Sequence, residues 1–81
     1  MGKLDVVIRV RQAFASGEAR RLRLAAGATL AECAAEVGST PTTVSRWELG
    51  ARCPGTAAAL RYATVLSRLE RAAGATTAEA S

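Results

Sequence analysis

The sequence predicts an all-α protein, a small bundle of four to five short helices, and three observations carry that expectation. Apolar residues recur at helical spacing along most of the chain, and glycines and prolines punctuate the ends of those stretches. Alanine is abundant, which favours helix formation and lets helices pack closely. Between Thr29 and Pro54 the pattern sharpens into two short helices around a tight turn.

The leading segment, residues 3 to 15, puts Val7, Val10 and Phe14 on one face of an amphipathic helix. The same run also alternates as a strand does, Val6, Ile8 and Val10 against Val7, Arg9 and Arg11, and its β-branched content suits that alternative. A helix over 17 to 26 follows, ending before Gly27, with a core stripe of Ala19, Leu22, Arg23 and Ala26. An arginine on that stripe requires a partner.

Thr29 caps the next helix, and Glu32 three residues on completes a capping box. Leu30, Cys33, Ala34 and Val37 form its apolar stripe, and Gly38 stops it. Thr40 caps the helix after the turn, and Pro41 suits its first turn, where a backbone N–H has no partner to lose. Val44 and Trp47 supply its buried side, while Thr42, Ser45, Arg46 and Leu49 point the other way, Leu49 being expected to pack in part. Gly50 ends this helix. Glu48 falls beside Val44 without a local counter-charge, so pairing it with Arg23 resolves both buried charges.

After Pro54 and Gly55 a further helix is expected, its stripe running through Leu60, Ala63 and Leu66 with Tyr62 and Leu69 near the edges. The last eight residues, GATTAEAS, are small and polar and are expected to be disordered. The division is then a leading segment at 1–15, a folded domain at 16–73 and a tail at 74–81.

The ordered marks from Thr29 to Pro54 resemble the lambda-repressor-like helix-turn-helix family, also called the xenobiotic-response-element type. They are Thr29, Ala34, Gly38, Val44, Glu48-Leu49-Gly50 and Pro54, with Arg23 upstream, and the resemblance covers most of residues 16 to 69. It implies a bridge between Arg23 and Glu48. It also favours the helix for the leading segment, because similar chains carry a short leading helix before a break such as Ser16-Gly17. One mark departs: the family often has glutamine just after the cap of the first motif helix, touching a phosphate, where this chain has Leu30.

The resemblance implies a sequence-specific regulator that binds double-stranded DNA, a repressor or controller of the phage or mobile-element kind. The second motif helix then enters the major groove, with Thr42, Ser45 and Arg46 contacting bases; an arginine matches guanine O6 and N7 in two hydrogen bonds. Arg52, Thr43, Arg20 and Arg21 are the candidate phosphate contacts. A homodimer on a palindrome is expected, through the leading segment with its exposed valines and Leu24, or through the last helix. Two alternatives stand beside this: an architectural or excision factor with a recombinase partner, and an antitoxin-like module with a toxin partner.

Composition agrees with a small nucleic-acid partner protein. The 81 residues suit one modest core, and the net charge of +4, carried by arginines apart from Lys3, favours a polyanion. With no histidine, no nucleophile-base set and no glycine-rich phosphate loop, no catalytic residue is assigned and no enzyme is expected. No metal, cofactor or small-molecule ligand is expected either. Cys33 reads as a small core hydrophobe and Cys53 as a loop thiol, both reduced in a cytoplasmic, nucleoid-associated protein. No apolar run is long enough for a membrane span, and no signal-peptide core follows Met1-Gly2-Lys3.

Overall fold

A computed structural model describes the backbone of residues 2–80 and the side chains of residues 2–74. Five helices follow one another: α1 (Lys3–Ala15), α2 (Glu18–Ala26), α3 (Leu30–Val37), α4 (Pro41–Glu48) and α5 (Thr56–Ala80). There is no strand among the described residues.

The leading segment is a helix, not the alternative strand. Its first turn is held by the Asp5 carboxylate, which accepts the Gly2 N–H at 3.2 Å. Helical winding buries Val7, Val10, Ala13 and Phe14 together. A strand would have divided Val7 and Val10 between two faces, so long-range packing decides between two locally adequate patterns.

The ends of α3 carry the expected cap chemistry. Thr29 Oγ1 accepts the Glu32 N–H at 3.0 Å, and Glu32 Oε1 accepts the Thr29 N–H at 2.9 Å. At the other end Gly38 takes φ +69°, and the turn closes as the Ser39 N–H donates to the Ala34 carbonyl at 2.9 Å. A left-handed residue here closes the tight turn between α3 and α4, a conformation open to glycine and costly for a β-branched residue.

α1, α4 and α5 meet through three rings. Phe14 lies 4.7 Å from Tyr62 and 5.7 Å from Trp47 between ring centroids, and Trp47 meets Tyr62 edge-on at 6.2 Å. Val10, Val44 and Ala59 pack around them with no exposed surface. The leading helix is therefore part of the same core as the two motif helices, and it fixes α4 from the side that carries Trp47.

One expectation for the last helix is corrected. Its buried line runs through Ala59, Tyr62, Val65, Leu66 and Leu69, so Tyr62 and Leu69 are central, and Leu60 and Ala63 are only half-buried. The reason is that α5 packs against α1, α2 and α3 together, which widens its apolar arc beyond one simple stripe. Its backbone is helical as far as Ala80. Alanine-rich sequence on both sides of Gly74 offsets the roughly 1 kcal/mol that one glycine costs a helix. Ser81 lies outside the described residues.

Candidate nucleic-acid interface

The rod from Pro41 to Glu48 is held at both ends. Thr40 Oγ1 accepts the Thr43 N–H at 3.2 Å and donates its own proton to Thr43 Oγ1 at 2.9 Å. The Thr43 hydroxyl thus keeps its own hydrogen available as a donor. At the C-terminus the Arg46 carbonyl accepts from both Ala51 and Arg52, at 2.9 and 3.3 Å, across Gly50 at φ +76°. These bonds tie the loop that follows to the last turn of α4.

Seating of the rod comes from Val44, fully buried, and Trp47, 5% exposed. A third anchor is the ion pair below them. Arg23 Nε and Nη2 donate to the two carboxylate oxygens of Glu48, at 2.7 and 2.9 Å, while Nη1 donates to the Ala28 carbonyl at 3.1 Å. The Glu48 side chain is 3% exposed and that of Arg23 10%. The hydrogen bond to Glu48 raises the Arg23 pKa against the opposing effect of burial, so the guanidinium stays charged. One pair thus joins α2, the α2–α3 loop and the C-terminus of α4.

On the opposite side of the rod, Thr42 and Arg46 are exposed, and Ser45 and Thr43 are half-buried at its flanks. Arg46 makes no side-chain hydrogen bond or ion pair among the described residues, and α1 leaves this face open. Leu49 corrects an expectation: 76% exposed, it stands mostly in solvent rather than packed. The core side of α4 is taken by Val44, Trp47 and Glu48, and Leu49 lies away from it.

Arg52 is exposed in the loop beyond α4. An unforeseen contact steadies that loop: Arg11 of α1 donates from Nε to the Pro54 carbonyl at 3.2 Å. The only sequence signal for it is an arginine at the edge of the α1 apolar face. Arg20 and Arg21 are exposed too, but on α2, away from the Thr42–Arg46–Arg52 group in the chain and on another helix. At the start of α3, the half-buried Leu30 offers no hydrogen-bonding side chain where the family often has glutamine.

Arg9 has a structural role that the sequence reading missed, bridging Glu18 at 3.1 Å and Glu70 at 2.6 Å and so tying α1 to α2 and α5. The valines expected to be exposed on the leading segment are not free: Val7 and Val10 are buried and Val6 is half-buried. Helical winding turns them inward and leaves Leu4 and Ile8 as the large apolar residues on the outside of α1. Cys33 is buried and Cys53 exposed, both as free thiols. Among the described residues no cluster of His, Cys, Asp and Glu could hold a metal ion, and no helix is long and apolar enough to cross a membrane.

Neither a curated protein nor a solved structure matches the chain. Residues 20–68 match the family model described as helix-turn-helix, with α4 as the second motif helix, and the chain therefore belongs to the XRE/lambda-repressor-like helix-turn-helix family of DNA-binding regulators.

Proposed function

We propose that the protein is a sequence-specific transcriptional regulator of the phage or mobile-element type, whose α4 reads the major groove of double-stranded DNA. The observation that carries this reading is the free Arg46 on an open, rigidly seated face. Its guanidinium is unspent on any ion pair or hydrogen bond among the described residues and matches guanine O6 and N7 in a two-bond fork. Thr42 and Ser45 flank it as further base contacts. Thr43, with its available hydroxyl hydrogen, and Arg52 serve the neighbouring phosphates, with Arg20 and Arg21 as outlying contacts.

One domain with three base-reading side chains offers modest discrimination. A homodimer on a palindrome, its half-sites about 34 Å apart, supplies the rest. Such a protein works in the cytoplasm, at the nucleoid. The excision-factor reading calls for DNA bending and a recombinase, and the antitoxin reading for a stoichiometric toxin; neither has a specific observation in its favour.

The test is selection from random duplex DNA, followed by titration of the winning site across salt. An enriched motif containing a guanine whose preference disappears in Arg46→Ala is the expected result. Absence of any enriched motif at low and moderate salt would sink the proposal and turn attention to a protein partner.

A further inference from the structure

Resting on the DNA-reading role of α4, we infer that Leu49 is a specificity-determining residue, packing its side chain on the C5-methyl group of a thymine next to the guanine met by Arg46. Leu49 is the most exposed large hydrophobic residue among the described residues, at 76%. A lone exposed leucine is ordinary on a protein surface. Here, however, it occupies the face that carries Thr42 and Arg46, for at about 100° per residue the three positions fall within about 60° of one another.

Position and rigidity then decide what it meets. Three residues beyond Arg46 along α4, Leu49 lies about 4.5 Å further along the helix axis, against about 3.4 Å for one base-pair step. Its backbone is fixed as the helix cap: its N–H donates to the Ser45 carbonyl at 2.9 Å, and the Gly50 N–H closes on the Trp47 carbonyl at 3.2 Å. The Leu49 backbone is thus carried by the same frame as Arg46, and binding has only its side-chain rotamer left to fix. Leucine has no donor or acceptor for a phosphate. Among the features of base edges in the major groove, the thymine methyl is the apolar one.

The experiment replaces each thymine of the selected site in turn by deoxyuridine, which lacks only that methyl, and compares wild type with Leu49→Ala. Wild type should lose about fourfold in affinity at one thymine within a base pair or two of the Arg46-dependent guanine, the worth of roughly one buried methyl-sized group. Leu49→Ala should bind the unmodified site correspondingly more weakly and be indifferent to uracil at that thymine. Because Leu49 is mostly exposed and lies outside the buried core, its variant should melt close to wild type, which separates this loss from misfolding. Wild type indifferent to every substitution, or Leu49→Ala as sensitive as wild type, overturns the inference while leaving the Arg46 guanine preference, and hence the DNA-reading role, intact. Failure of wild type to select any site overturns both.

Discussion

Arg23 and Glu48 meet in a two-bond fork, Nε to Oε2 at 2.7 Å and Nη2 to Oε1 at 2.9 Å, with the Glu48 side chain almost wholly enclosed. Removing one partner strands the other charge in a place that water hardly reaches. Arg23→Ala or Glu48→Ala should each cost about 3–5 kcal/mol in denaturant unfolding. The double replacement by apolar residues of similar size, Arg23→Met with Glu48→Leu, should cost much less than the sum. Single variants as stable as wild type would mean that the pair contributes nothing to the fold.

Phe14 touches both Trp47 and Tyr62, so α1 belongs to the core that seats α4 even though the matched family region begins at residue 20. Phe14→Ala should destabilise by about 3–5 kcal/mol, and deletion of residues 1–15 should abolish cooperative unfolding. A truncated chain that melts as sharply and as high as the full one would overturn this assignment.

How far the sequence reached depended on the range of the forces involved. From Thr29 to Gly50 the structure is set by local chemistry, caps three residues apart and glycines at positive φ, and each of these is written in adjacent letters. Arg23 and Glu48 stand out for a related reason: each is a charge on an otherwise apolar side. The leading helix and the register of α5 depend instead on distant partners. Phe14 finds Trp47 and Tyr62, Arg11 finds Pro54, and Tyr62 becomes central only because three helices converge on it. Leu49 stands more exposed than its position predicts because periodicity gives direction without the depth of cover.

Glu32 supplies an acid dependence. Its hydrogen bonds from the Thr29 backbone and then the Thr29 side chain hold its pKa below the ordinary carboxylate value. A depressed folded value means stability fully present above the unfolded pKa, about 4.3, and lost as pH falls through the lower folded value. Glu32→Gln preserves the capping box without the titration. Its melting temperature should therefore fall less steeply than wild type below about pH 4.5, measured in parallel melts. Identical acid slopes would count against the Glu32 contribution.

Alkaline conditions act through Cys33 and Tyr62. Burial raises both pKa values, and the mutual contact of the thiol and the phenol raises that of Tyr62 further. The Tyr62 hydroxyl is itself fully enclosed. Groups held protonated in the fold but free to ionise when unfolded make stability fall as pH rises, beginning near the unfolded thiol value of about 8.5 and steepening near 10 for the phenol. Tyr62→Phe should flatten the decline above about pH 10, and Cys33→Ala the part between about 8.5 and 10. If neither variant changes the slope, the alkaline loss has another origin.

Arg46 and Arg52 are both exposed arginines, one on α4 and one in the loop after it, yet the proposed function gives them different thermodynamic signatures. A fork to guanine discriminates among bases, whereas a phosphate contact releases counterions whatever the sequence. Arg46→Ala should lose about 1–3 kcal/mol on the selected site and relax preference at one base pair. Arg52→Ala should weaken binding to selected and unrelated duplexes alike and reduce the slope of log affinity against log salt by about 0.9. The discriminating measurement is the ratio of specific to non-specific affinity at fixed salt: it should collapse for Arg46→Ala and hold for Arg52→Ala. The reverse pattern would move base reading from the outward face of α4 to the loop beyond it.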